Sequence, residues 1–153
     1  MVPIRRFDYV NRSGLSERVL KDRMQKRGWE SFRGGMIGVR MEYPNVLAKY
    51  ARLEGLITDK LGVDVLDELK LINAVHHGMP DYLFFRRGEL LFVECKLGHE
   101  QLSERQKKCI RRLQDLGFKV EVHKLVEDCT KVRDVQVIGG VKTVVARQER
   151  LIV

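Results

Sequence analysis

Long apolar runs are missing from this 153-residue chain. No stretch approaches the ~20 residues of a membrane span, and the opening MVPIRRFDYV holds no apolar core of the kind that directs secretion. A cytoplasmic protein without membrane association is expected. Cysteine is also scarce. Cys95, Cys109 and Cys129 are odd in number and show no CxxC spacing, which argues against a disulfide framework and a zinc site, and all three are expected as reduced thiols. Asparagine occurs three times beside many Lys, Arg and Glu, a bias seen in thermophile proteins that decides nothing further here. Repeats and low-complexity segments are absent, so the length fits one domain able to bury its own core. Acid falls short of base: 29 Lys+Arg against 21 Asp+Glu leave a net charge of +8, a balance that favours polyanionic partners and nucleic acid first. A soluble protein without such a partner can carry the same balance, so the motifs must decide.

A first helix is expected from Ser16 to Arg27, with Ser16 as cap, Leu20 and Met24 on one stripe and Gly28 as the stop. WESFRGGMIGVRMEY then reads as a strand followed by a loop. From Pro44 to Leu71 helical spacing is interrupted at Gly55 and Gly62, which predicts two or three short helices.

The stretch HHGMPDYLFFRRGELLFVECK is the most informative. Arg87-Gly88 suits a two-residue hairpin turn. The register then sets Phe85 against Leu90, Leu83 against Phe92, and Asp81 against Glu94. Alternation puts Lys96 on the face of Asp81 and Glu94, and Tyr82, Phe84, Leu91, Val93 and Cys95 on the other. A strand pair apolar on both faces belongs mid-domain, covered by helices front and back. Two facing carboxylates destabilise such a sheet unless something compensates. A divalent cation between Asp81 and Glu94 would do so, with the Cys95 backbone carbonyl as a further oxygen ligand and waters and phosphate oxygens completing the shell. Lys96 could then orient or deprotonate an attacking water, or neutralise a scissile phosphate. The constellation suits phosphodiester hydrolysis.

GMPDY, ECK and the following LSERQKKCIRRLQDLGFKVEV resemble the PD-(D/E)XK nuclease superfamily. Within it they resemble most the virus-type replication-repair nuclease (VRR-NUC) domain, whose pattern has G-x-P-D, E-x-K and an L-S-x-x-Q helix ending in Gly before a strand. The motif likeness covers Gly78 to about Val122 well and Ser16 to Trp29 loosely, and leaves out Met36 to Asn73 and the tail beyond Glu127. It implies a restriction-endonuclease-like αβα core with a central mixed sheet, Mg²⁺ or Mn²⁺ dependence, DNA cleavage often at branched structures, and Asp81, Glu94 and Lys96 as the catalytic set. It also matches Glu17 to the family's acid on the first helix. A viral source would place the protein in host cytoplasm.

Two readings stand for Glu17: it could point at the metal, or serve as the acid that helix polarity favours in a first turn. Two stand for Gln106. Ser103-Glu104-Arg105-Gln106 fits a capping box, and Gln106, Ile110 and Leu113 share a face that could approach the site. His76 and His77 precede the motif, and His77 is taken as a candidate phosphate contact. Arg105, Lys107, Lys108, Arg111 and Arg112 surround the polar side of the following helix, an expected DNA-backbone surface that Arg33, Arg86 and Arg87 could extend. KVEVHKL reads as a further strand, and Gly139-Gly140 within VRDVQVIGGVKTVVARQ as the turn of a two-stranded arm that could pack on the core or on a second copy.

The sequence therefore predicts one nuclease domain over 1–153. Its core elements lie near 13–33 and 74–126, a helical insertion near 44–72 and a C-terminal hairpin near 132–148. The expected activity is Mg²⁺-dependent endonucleolytic cleavage of branched DNA by a homodimer. The competing class is a nucleic-acid-binding module of nuclease fold with little or no catalysis.

Overall fold

The turn at Arg87-Gly88 sets the frame of the molecule. In the computed structural model both residues take positive φ, 50° and 79°, the signs a type I′ turn requires. The strands on either side, β2 (Tyr82–Arg86) and β3 (Glu89–Leu97), pair antiparallel with Phe85 against Leu90 and Leu83 against Phe92, the register the sequence predicts. Lys60 caps the turn by donating to the Gly88 carbonyl.

The structure describes residues 12–39, 43–76, 78–98, 100–127 and 141–148. Around the hairpin lie α1 (Arg12–Lys26), β1 (Glu30–Arg33), a 3-10 turn (Gly34–Met36), α2 (Pro44–Leu61), α3 (Val63–His76), α4 (Glu104–Asp115), β4 (Lys119–Glu127) and β5 (Lys142–Gln148). The five strands form one mixed sheet in the order β1-β2-β3-β4-β5. The first three are antiparallel, and β4 and β5 run parallel to β3. The β3-α4-β4 unit supplies the helical crossover that a parallel pair needs.

Each sheet face is covered by helix. Leu20 and Met24 of α1 pack on Tyr82, Phe84, Leu91, Val93 and Cys95. On the other face the buried stripes of α2 (Tyr50, Leu53, Ile57), α3 (Leu66, Leu69, Ile72) and α4 (Cys109, Ile110, Leu113) close over Leu83, Leu90, Phe92, Val120 and Val122. This α/β arrangement, an open mixed sheet between helical layers, is the restriction-endonuclease-like fold. No helix among the described residues is long and apolar enough to cross a membrane.

Three expectations change. Helix α1 begins at Arg12, so Ser16 lies within it and does not cap it, and Glu17 sits in the second turn. Gly55 does not interrupt α2: it faces solvent, and the break falls only at Gly62, with φ of 97°. The second strand of the expected C-terminal hairpin is no separate arm but the edge strand of the described sheet, parallel to β4. Residues 132–140, which would hold the first strand and its turn, lie outside the described residues, as does Cys129.

Candidate active site

The ladder between β2 and β3 stops where the motif begins. Tyr82 pairs with Val93, the last pair of the ladder, so the expected pairing of Asp81 with Glu94 one step further is not formed; two steps further the register would set Pro80 against Cys95. Proline has no N–H to donate. The Cys95 N–H is taken instead by Asp81, whose Oδ2 accepts it at 2.8 Å. The Cys95 carbonyl, on the same edge of β3, is thus denied a ladder partner at Pro80.

Two glycines hold this bend. A Cβ on Gly34 would stand 2.0 Å from the Pro80 carbonyl oxygen, and the Gly34 N–H donates to the Asp81 carbonyl at 3.1 Å. A Cβ on Gly78 would stand 2.8 Å from the Arg105 carbonyl oxygen at the start of α4. Only glycine lets the backbone pass so close at either place. Gly78 belongs to the quoted motif, whereas nothing in the sequence but a glycine pair after a short strand points to Gly34.

Glu94 and Lys96 project from β3 on the α4 side and are 4% and 8% exposed. Gln106 ties them together: its Nε2 donates to Glu94 Oε1 at 3.0 Å, and its Oε1 accepts from Lys96 Nζ at 2.9 Å. The same Oε1 accepts from the Ser103 N–H at 2.9 Å, while Ser103 Oγ accepts from the Gln106 N–H at 3.2 Å. The capping box and the site contact, alternatives in the sequence, coexist in one side chain. Lys96 Nζ stands 3.7 Å from Glu94 Oε1.

Burial is the main force on the Glu94 carboxyl. Together with the negative charge of Asp81 it outweighs the Lys96 ammonium and pushes the pKa up to about 9. The Cys95 thiol, turned into the α1 core, is driven far above its ordinary range by burial and then by Asp81. It stays protonated, which leaves only its backbone to serve the site.

Glu17 reaches the same place from the opposite face. Burial and the Asp81 charge raise its pKa against the opposing pull of Arg33, whose Nη1 donates to Glu17 Oε2 at 2.8 Å. Arg33 also lies over the Tyr82 ring at 5.1 Å. Helix polarity does not account for Glu17, since α1 has no acid in its first turn.

The remaining candidates separate. Lys107 and Arg111 line a cavity beside Lys96. Arg112 lines another recess with Glu68, Ile72 and Asp115 on the α3 side. Arg105 and Lys108 are exposed along α4. Arg86 stacks over Trp29 at 4.3 Å and donates to the Arg27 carbonyl. With Arg87 it sits at the turn end of the hairpin, away from Asp81, so it does not extend the α4 surface. His77 lies outside the described residues, and the side chain of His76 is not described.

Among the described residues no three His, Cys, Asp or Glu side chains converge as a metal cage. Two carboxylates and a backbone oxygen fit a hard divalent cation that keeps part of its water shell, as Mg²⁺ does. They do not fit a soft or fully caged ion. A carboxyl buried beside a second carboxylate is stabilised either by a proton or by such a cation.

Sheet order and covering helices are those of the restriction-endonuclease-like class, with a polar cluster where the hairpin ladder breaks. A family model, the VRR-NUC domain, matches residues 11–126, and the chain belongs to that family. The match runs through 36–73, which the motif likeness leaves out, and ends before β5. No curated protein matches the chain.

Proposed function

We propose that the chain is a Mg²⁺- or Mn²⁺-dependent DNA endonuclease acting on branched DNA, with the four-way junction as its sharpest substrate. Asp81, Glu94 and the Cys95 carbonyl would hold the ion, with Glu17 as a further carboxylate beside Asp81. When bound there, the ion supplies charge neutralisation of the phosphate and acidifies water. Lys96, held by Gln106, presents its ammonium to the scissile phosphate and orients the attacking water. Hydrolysis forms a bond from the water oxygen to phosphorus, breaks one phosphorus–oxygen ester bond, and passes a proton to the departing sugar oxygen. Gln106 acts as a positioning residue, fixing Glu94 and Lys96 relative to each other. Contacts from Arg105, Lys107, Lys108 and Arg111 to backbone phosphates give affinity without sequence reading. Cutting both strands of a junction needs two centres related by a two-fold axis, so the proposal carries a homodimer with it.

The observation that carries this reading is the buried Glu94 carboxyl, pushed to about 9 beside Asp81 and hydrogen-bonded to a glutamine that also holds Lys96. The test is cleavage of labelled single-stranded, duplex, flapped, splayed and four-way-junction DNA with Mg²⁺ or Mn²⁺, with EDTA and Glu94→Ala as controls. Paired symmetrical nicks in the junction are expected. Cutting confined to flaps or ends would replace resolution with end processing. Binding without cleavage of any substrate would return the chain to the non-catalytic binding class.

A further inference from the structure

Next to Lys96 the structure opens a cavity of about 350 Å³. It exists because α4 lies over β4 while the sheet continues beyond the helix into β5. Its floor is apolar, with Ile110 of α4 and Val122 of β4 among its lining. Among the described residues four cationic side chains surround that floor, Lys96, Lys107, Arg111 and Lys124, against one carboxylate, Glu100. Thr143 of β5 adds a hydroxyl on the far wall.

Neither the cleavage centre nor a smooth backbone-binding surface requires a recess of this kind. Phosphate contacts alone need cations on an exposed face, whereas this space combines an apolar floor with a cationic rim. Its volume falls in the range of about 300–1,000 Å³ typical of sites for small organic ligands. A nucleotide has that dual character: a flat base with apolar faces and an anionic phosphate. The arginine can also lie flat against a base. Lys96 is shared with the cleavage centre, so an occupant would sit one step from the scissile phosphate.

We propose that this cavity takes a single unpaired nucleotide of the DNA strand, its base on the Ile110/Val122 floor and its phosphate at the Lys107/Arg111/Lys124 rim. The proposal rests on the nuclease reading and narrows its substrate: DNA with an unstacked nucleotide beside the cut is selected over continuous duplex. A base already unpaired escapes the cost of a few kcal/mol that extraction from a duplex requires.

The test is binding of the full-length protein in EDTA, so that no DNA is cut, to three labelled duplexes: fully paired, with one bulged nucleotide, and with the same bulge lacking its base. The bulged duplex is expected to bind about tenfold tighter than the paired one, which is about 1.4 kcal/mol. The baseless bulge should lose most of that preference. Arg111→Ala combined with Lys124→Ala should bring the ratio of bulged to paired affinity near unity. Thr143→Trp, which fills the space from β5 and leaves the sequence of α4 unchanged, should do the same, and circular dichroism checks the fold of both variants. Millimolar dAMP that abolishes the preference places the nucleotide itself in the cavity, while inorganic phosphate at the same concentration should not. Equal binding of bulged and paired DNA, a preference that survives both variants, or a baseless bulge that binds as tightly as the complete one overturns the proposal. Cleavage with Mg²⁺ in the panel above then leaves the nuclease reading standing. A pocket-dependent preference without cleavage of any substrate would instead remove the nuclease reading and keep the pocket.

Discussion

One strand pair has two unlike ends. Toward the Arg87-Gly88 turn, β2 and β3 face each other through Phe85 with Leu90 and Leu83 with Phe92, buried or half-buried pairs that join the main core. Toward the other end the same alternation sets out Asp81, Glu94 and Lys96, and the ladder ends at Tyr82. The first end contributes burial and stabilises the fold, whereas the second spends buried positions on charge. Two residues along β3, from Phe92 to Glu94, separate a position whose loss should cost stability from one whose loss should cost chemistry.

Substituting both positions tests that contrast. Glu94→Ala, and likewise Asp81→Ala, should reduce cleavage by about 10³-fold or more, the upper range for removing one preorganised group, with binding to DNA largely retained. Phe92→Ala should cost about 3–5 kcal/mol of stability, read as a fall in melting midpoint of at least about 6 °C. If Glu94→Ala lowers the midpoint as far as Phe92→Ala does, the two ends do not differ and the carboxylate pair is structural.

Gln106→Ala sits between these extremes, because the side chain caps α4 and bridges Glu94 to Lys96. It should cost about 0.5–1.5 kcal/mol through the lost hydrogen bond from the Ser103 N–H and about 10–100-fold in activity through lost positioning. Ser103→Ala removes the cap hydroxyl but leaves the bridge. A Ser103→Ala protein as inactive as Gln106→Ala would show that the bridge adds nothing to the cap.

Smaller effects follow from protonation and from the rim. The Glu94 carboxyl titrates near 4.5 ordinarily and near 9 in the folded chain. Between those values the folded state holds the additional proton, so stability without divalent ion falls as pH rises through this window. Glu94→Gln should remove the fall and raise the melting midpoint at pH 8 by at least about 2 °C; an unchanged pH dependence would contradict the raised pKa. On α4, Arg111→Ala should reduce the salt slope of DNA binding by about one unit. Arg112→Ala, on the recess beside Glu68, should change it little. Equal effects would place the whole basic helix in contact with DNA.

Much of the site was legible because a two-residue turn fixes register. Once Arg87-Gly88 is read as the turn, the facing pairs of the hairpin and the face shared by Glu94 and Lys96 follow without further information. The start of α1 was not legible, since Asn11, Ser13 and Ser16 are all residue types that cap helices and the local sequence does not single out a start at Arg12. The place of β5 depends on a parallel pairing with β4, a contact between distant segments that no local pattern encodes. Gln106 was readable as cap or as site, but its double role depends on how closely Gly78 admits the start of α4. Arg33 read as a free cation for DNA, yet its partner Glu17 lies 16 positions away on another element and becomes visible only once β1 and α1 are packed.

The most direct test of the account is a calorimetric titration of the DNA-free protein with MgCl₂ or MnCl₂ at pH 7.5, in two buffers of different ionisation enthalpy. If Asp81 and Glu94 hold the ion in place of a proton, binding should release about one proton per ion, and Glu94→Gln should abolish that release. Binding without proton release, or release that is unchanged in Glu94→Gln, would contradict the claim that the ladder break builds a cation site.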